Sequence, residues 1–194
     1  NGIVRNKPDF LAPDGVETTV TLGGASNPKL FYGTSAAAPH LAAMVALLMD
    51  GKKKYSNQIM NPQDVKALLM QSVGLSGTLF SAGRRDNTRG FGFAKGDIAM
   101  KTFANPKPEI KRTVLEDSVA AGLKPMKLSV QGNYISANSV VYYKDSLLPT
   151  TYVSEHELMV TVPKFTDNPW VKIFTAGVAV NGNDGGYSDS MFLL

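Results

Sequence analysis

The chain has 194 residues, 43% of them hydrophobic and 19% charged, with a formal net charge of +4 and no cysteine. That length suits one large domain or two modest ones, and the composition excludes a chain disordered throughout. The absence of cysteine removes disulfide scaffolds, thiol nucleophiles and thiolate metal sites, and two histidines alone make a poor metal site, so no metal or other cofactor is expected.

The longest apolar run, Leu41 to Met49, is nine residues, against the roughly 20 that a membrane-spanning helix needs, so no membrane span is expected. The chain begins at Asn1 and shows no basic region followed by an apolar stretch, which predicts an internal piece of a longer precursor rather than a signal-bearing start. Before Pro106 there are 12 Lys and Arg against 7 Asp and Glu, and from Pro106 onward 8 against 9, so the positive balance belongs to the first half. It includes Lys52, Lys53, Lys54 and the group Arg84, Arg85, Arg89. No aromatic interleaving accompanies them, so they read as a solvated helix end and a solvated loop, and no nucleic-acid partner is expected.

In chain order, the first predicted helix covers Ala36 to Met49, ends at Asp50-Gly51, and carries small or apolar residues on nearly every face, which predicts burial almost all round. Pro62 fits the first turn of a second helix behind an Asn61 cap, with Val65, Leu68, Leu69 and Val73 at helical spacing until Gly74. Gly74 to Gly96 is glycine-rich and polar, with Phe91 and Phe93 alternating as in a short strand, and Asp97 to Ala104 forms a closing helix. Lys101 to Arg112 contains two prolines and little periodicity, so residues 105–112 are read as a linker between a domain over 1–104 and another over 113–194.

The second segment has the period of strands. Leu128 and Val130, Val140 and Tyr142, then Leu158, Val160 and Val162, and finally Val171 and Ile173 alternate with their neighbours, and Gly, Asn and Pro fill the gaps, which predicts an all-β sandwich. Asn181 to Gly186, NGNDGG, carries oxygen donors, but it has no EF-hand spacing and reads as a turn whose residues tolerate positive φ.

Phe31 to His40, FYGTSAAAPH, is where the chemistry concentrates. Ser35 stands between Gly33-Thr34 and three alanines at a helix start, where the helix end favours negative charge and the Ser35 N–H can meet an oxyanion. Gly33 permits close backbone approach, and Ala36 to Ala38 let the helix end pack closely. The same residue types serve equally as a helix cap, and spacing alone leaves nucleophile and cap as two open readings. His40, five positions on, lies about 140° around the helix and roughly 7.5 Å along it, so it points away from the Ser35 hydroxyl and fixes local packing instead. His156, between Glu155 and Glu157, is read as a solvent-facing strand residue.

GTSAAAPH resembles the nucleophile motif of subtilisin-like serine peptidases, the subtilases. Lys7 to Val16, KPDFLAPDGV, resembles the strand and turn that precede it, and the helix from Pro62 and Gly90 to Met100, GFGFAKGDIAM, match the end of that catalytic domain in order and approximate spacing. The resemblance covers about residues 1–104 and implies the C-terminal portion of a parallel-sheet α/β domain. It assigns the nucleophile to Ser35, oxyanion support to Thr34 and the Ser35 N–H, and a polypeptide substrate at Phe31, Tyr32 and Gly33. Ala36 stands where the family often has Met, APD-G replaces the commoner APG, and Asp9 and Asp14 belong to the structural turn. The family order of Asp, His and Ser places the other triad members and the oxyanion Asn upstream of Asn1, so this chain alone is expected to be inactive.

Ser118 to Pro163 with the closing NDGGYSDSMFLL is similar to immunoglobulin-like IPT/TIG domains through its G-N-Y, Y-V-S and G-G-x-S patterns. That resemblance implies a spacer or a protein or carbohydrate contact module, with Trp170 or Tyr142 and Tyr143 as candidate sugar contacts; a lone Trp in a sandwich also serves as core. Both resemblances imply an extracellular or cell-envelope location. The competing expectation is a non-catalytic binding module with a remnant subtilase half.

Overall fold

A computed structural model of the chain describes residues 6–19, 30–75, 85–119 and 121–194, so Arg84 and the part of the glycine-rich stretch over 76–84 lie outside the described residues. The chain divides into two units, Asn1–Phe103 and Ala104–Leu194.

In the first unit β1 (Val16–Glu17) and β2 (Leu30–Phe31) form an antiparallel pair, and three helices follow: α1 (Thr34–Ser56), α2 (Pro62–Leu75) and α3 (Gly96–Lys101). The start of α2 is a reciprocal cap. Asn61 Oδ1 accepts the N–H groups of Gln63 and Asp64, both at 2.9 Å, while Asp64 Oδ2 accepts the Asn61 N–H at 3.0 Å. Pro62 fills the one following position that has no N–H to offer.

α1 overruns its expected end at Asp50-Gly51 and continues to Ser56. Gly51 is a packing contact, not a terminator: a Cβ there would lie 2.8 Å from Met100 Sδ, with Phe103 beside it. The left-handed residue that ends α1 is Asn57 (φ 52°, ψ 34°), whose N–H donates to Lys53 O at 3.0 Å. Lys53 and Lys54 lie in the last turn, where cations suit the negative helix end. α1 is also far less buried than its composition predicts: Ala36, Leu48 and Gly51 are its buried residues, while Ala38, Ala42, Ala43, Ala46 and Leu47 face outward, Leu47 being 68% exposed. Its partners among the described residues, α2 and α3, lie along one side; Gly96 of α3 sits against Met44 there.

The expected parallel sheet is represented, among the described residues, by one parallel bridge between Leu11 and Phe93. Leu11 N–H donates to Gly92 O (2.9 Å) and Ala94 N–H to Leu11 O (3.1 Å), and Phe91 N–H donates to Asp9 O (2.7 Å). Gly90 permits that approach, since at φ 62° a Cβ would fall 2.2 Å from Asp9 O. Side chains reinforce the seam: Phe10 packs on Phe91 with centroids 5.6 Å apart, and Asp9 pairs with Lys7 and, at 2.9 Å, with Lys66 of α2. α3 stops at Lys101 rather than Ala104, closing with Thr102 and Phe103 N–H groups on Ala99 and Met100 carbonyls.

The second unit begins at Ala104 and so includes residues 105–112, the stretch read as a linker. Asn105 is pinned within this unit, and Glu109 to Arg112 are the first residues of β3 (Glu109–Leu115), so Pro106 and Pro108 immediately precede a strand. With β4 (Met126–Asn133), β5 (Ser139–Tyr143), β6 (Ser146–Leu148), β7 (Thr150–Ser154), β8 (Glu157–Val162), β9 (Trp170–Thr175), β10 (Gly186–Tyr187) and β11 (Met191–Phe192), it forms two antiparallel sheets. One has the order β3-β4-β8-β7; the other has β10-β9-β5-β6, with β11 also pairing β9. Leu128, Val130, Leu158, Val160 and Val162 from the first sheet meet Val141, Tyr143, Val171 and Ile173 from the second in one core. The inward face of β5 is Ser139, Val141 and Tyr143, not the expected Val140 and Tyr142; SVVYY is apolar on both faces, so its period carries no direction. The chain passes from β6 to β7 across Pro149, stitched by Thr150 Oγ1, which accepts Val141 N–H and donates to Leu148 O, both at 2.9 Å.

The NGNDGG stretch is more than a turn. Asp184 is buried, and it accepts N–H groups from Asn105 (2.6 Å), Val178 (2.9 Å) and Ala179 (3.0 Å). Asn105 returns the contact, its side chain donating to Ala176 O and its carbonyl accepting Gly185 N–H. Burial alone pushes the Asp184 carboxyl up, and the backbone donors outweigh it and hold the group below its ordinary value.

These two carboxylates each generate a test. Replacing Asp184 by Ala leaves three backbone donors without their acceptor and is expected to destabilise the second unit by about 3 kcal/mol, with Asp184→Asn intermediate; urea unfolding followed on the single tryptophan, Trp170, measures it, and a change below about 0.5 kcal/mol contradicts it. In the first unit the Lys66 bond, then that of Lys7, lowers the Asp9 carboxyl from 3.8 to about 2. A depressed folded value gives stability that is complete above about pH 4 and is lost as pH falls through about 2. Asp9→Asn is expected to remove this acid dependence, read as unfolding of the α1–α3 helices by far-ultraviolet circular dichroism between pH 4.5 and 1.5, roughly the window set by those two values.

Candidate active site

The local sequence around Ser35 fixes a turn before it fixes a helix. Gly33 is the residue that flanks α1, with φ 98° and ψ 179°, a conformation that favours glycine. Its carbonyl accepts the N–H groups of Ala36 (2.9 Å) and Ala37 (3.2 Å), the first bonds of the helix. Its N–H donates to Asp14 Oδ1 at 2.7 Å, and the same oxygen accepts Gly15 N–H at 2.8 Å. Both ends of Gly33 are therefore tied, one to the helix and one to the preceding turn. Gly33 is needed for its φ and not for close approach: the nearest atom to a Cβ there would be Ser35 N at 4.0 Å.

Tyr32 and Phe31 lie against the same turn. β2 pairs Phe31 with Val16, and the Tyr32 ring, itself 62% exposed, covers Gly15 so closely that a Cβ at Gly15 would sit 2.8 Å from it. Gly15, at φ 65°, is glycine for both reasons. Phe31, Tyr32, Gly33, Thr34 and Ser35 thus form one shoulder between β2 and α1, half-buried at Phe31 and exposed from Tyr32 onward.

Ser35 occupies the first turn of α1 with its side chain exposed. Neither Thr34 nor Ser35 caps the helix, because no side-chain cap bond is made; the cap use left open by spacing is not realised. Among the described residues neither the Ser35 hydroxyl nor its N–H has a hydrogen-bond partner. The first turn of α1 carries no acidic side chain, so its positive end is not neutralised from within the helix. A hydroxyl and a free N–H at such an end suit an acyl group whose carbonyl oxygen gains charge.

His40 is engaged elsewhere: its Nδ1 hydrogen-bonds Ala36 O at 2.7 Å, back along the same helix. His156 belongs to the other unit, where it stands in the turn between β7 and β8 rather than within a strand; its Nδ1 meets Gly132 O at 3.1 Å and its Nε2 lies 3.6 Å from Glu155. Asp9 is held by lysines, and no group of three or more His, Cys, Asp or Glu placed to hold a metal ion occurs among the described residues. The sequence reading missed the role of Asp14, which it placed in the turn without a bonding partner; the departure from APG to APD-G was the signal at hand.

In the second unit Trp170 is half-buried at the start of β9, with Lys172 Nζ 4.5 Å from its ring centroid. Tyr142, Phe174 and Tyr187 pack together on the outer face of their sheet, with centroids 4.6 to 6.3 Å apart. Tyr143 faces the core, where burial pushes its phenol up, so it is removed from the candidate sugar contacts.

No curated protein and no solved structure matches the chain. Residues 3–96, which carry the Asp14 turn, Ser35 and all of α1 and α2, match the model of the Subtilase family, Peptidase S8, a family of serine peptidases.

Proposed function

We propose that this chain carries the nucleophile half of a subtilisin-like serine endopeptidase, with an immunoglobulin-like domain of the IPT/TIG type as its second unit. The single observation that carries the catalytic assignment is Ser35 in the first turn of α1, inside the family match, with neither its hydroxyl nor its N–H used by any described residue. Ser35 Oγ attacks the carbonyl carbon of a peptide while its proton passes to a histidine upstream of Asn1 in the precursor, itself oriented by an upstream aspartate. The tetrahedral oxygen is held by the Ser35 N–H, with Thr34 in support, and by an upstream asparagine. Collapse returns the proton to the leaving amine, and water then releases the acyl group from Ser35 by the same path in reverse.

The outward face of α1 supports the need for an upstream partner. Ala38, Ala42, Ala43, Ala46 and Leu47 are apolar and exposed, which costs stability unless another layer covers them. The upstream part of the same precursor is the proposed cover, either continuous with Asn1 or retained noncovalently after a cut. Phe31, Tyr32 and Gly33 form the proposed substrate-contacting shoulder. An extracellular or envelope location fits both units.

A second reading is favoured by one feature of the second unit. The aromatic outer face of Tyr142, Phe174 and Tyr187, together with Trp170, suits contact with a protein or a carbohydrate, and a non-catalytic binding module would use that face alone.

Fluorophosphonate labelling followed by intact-mass analysis separates the two. The chain extended by its native upstream sequence is expected to give one adduct, mapped to Ser35 and abolished in Ser35→Ala. The chain alone, lacking its base, is expected to react about 10²–10⁴-fold more slowly. A folded extended chain with no adduct contradicts the peptidase and leaves the binding module.

A further inference from the structure

We infer that Asp14 is a positioning residue for Ser35, acting through the Gly33 N–H, and that the acceptor oxygen of its side chain, rather than its charge, does the positioning. The role rests on Ser35 being the nucleophile proposed above. Gly33 stands just ahead of Thr34 and Ser35, and Asp14 lies 19 positions before Gly33, so the 2.7 Å bond is a tertiary tie between the turn ahead of β1 and the helix entry.

The geometry explains why one oxygen suffices. Asp14 Oδ1 takes the Gly33 N–H and the Gly15 N–H together, at 2.7 and 2.8 Å. Gly33 is the only residue of the shoulder whose backbone stands at positive φ, and a glycine has the widest conformational freedom of any residue. Its carbonyl is fixed by Ala36 and Ala37 N–H groups, so the peptide before it is the remaining soft point in the approach to Ser35. The Asp14 bond removes that freedom. The Tyr32 ring lies against Gly15, the residue after Asp14, where a Cβ would meet it at 2.8 Å, and the Gly15 N–H gives Asp14 Oδ1 its second donor. Neither Thr34 nor Ser35 contributes a cap that would hold the entry in its place.

Nucleophile placement has a steep cost, since a misplacement of about 1 Å lowers rate on the order of 10²-fold. The test uses the chain with its native upstream sequence and measures the second-order rate constant for fluorophosphonate labelling, together with the fraction of protein that labels. Asp14→Ala is expected to lower the rate constant about 10- to 100-fold while the labelled fraction stays complete; Asp14→Asn, which keeps the acceptor oxygen and loses the charge, is expected to stay within about twofold of wild type. In the same samples the Gly33 amide is expected to exchange with solvent faster in Asp14→Ala and at the wild-type rate in Asp14→Asn, a readout that needs no activity.

A wild-type rate constant in Asp14→Ala overturns the positioning role while leaving the Ser35 nucleophile intact. A labelled fraction that falls while the rate constant of the reacting population is unchanged also overturns it, because that is the result of a purely structural residue. Asp14→Asn as slow as Asp14→Ala overturns the acceptor argument in favour of charge. No labelling of folded wild type overturns the nucleophile itself, and the role of Asp14 with it.

Discussion

The first unit depends on one stretch, Asp9 to Asp14, being held by hydrogen bonds at Asp9, Leu11 and Asp14. At its start Asp9 O and both backbone polar groups of Leu11 bond to Phe91, Gly92 and Ala94, and at its end Asp14 reaches Gly33. The stretch therefore ties the segment before α3 to the entry of α1. Backbone donors and acceptors must find partners; here Asp9 O and the polar groups of Leu11 find theirs at residues 91–94, while the Asp14 side chain finds its own at Gly33. Gly90 and Gly15 make the contacts sterically possible, the one against Asp9 O and the other under the Tyr32 ring. The entry of α1 at Gly33 is thus tied to a seam that lies outside Phe31 to His40.

The second unit uses the same device in a different setting. Asp184 gathers three backbone N–H groups where water is excluded, so each bond replaces hydration that the carboxylate has lost. Asp14 gathers two at the surface, where water competes and the energetic gain is smaller. The consequence differs accordingly. Asp184 fixes where the second unit begins, by holding Asn105 ahead of β3. Asp14 contributes less to stability and more to the direction in which the chain enters a helix.

Periodicity made several elements legible. The Asn61-Pro62 start of α2 and the inward faces of β4, β8 and β9 stand where the sequence places them, since each has a local signal: a cap followed by helical spacing, or strict alternation. Signals failed where the local pattern had two meanings. Asp50-Gly51 resembles a helix end, but Gly51 is small because Met100 and Phe103 pack on it. Ser139 to Tyr143 is apolar on both faces, and Lys101 to Arg112 has linker prolines yet runs into β3. The ties of Asp14 to Gly33 and of Asp184 to Asn105 span 19 and 79 positions and leave no periodic trace. Phe31 to His40 was marked by its motif; the Asp14 bond to Gly33 was not.

Under the proposed reading, two needs of the first unit meet on the same helix. A serine hydroxyl is a weak nucleophile until a base takes its proton, and Ser35 has no such partner among the described residues, while His40 is spent on Ala36 O. Further along α1, apolar side chains from Ala38 to Leu47 face outward and gain nothing from burial. A layer laid over that face would remove apolar surface from water, at about 25 cal/mol per Å², and would bring new side chains to the shoulder beside Ser35. Folding energy and catalytic competence would then come from the same contact. Under the proposed reading that coupling keeps Ser35 inert until the domain is complete, because the hydrogen bonds that position it are already made and the proton acceptor is what the cover adds.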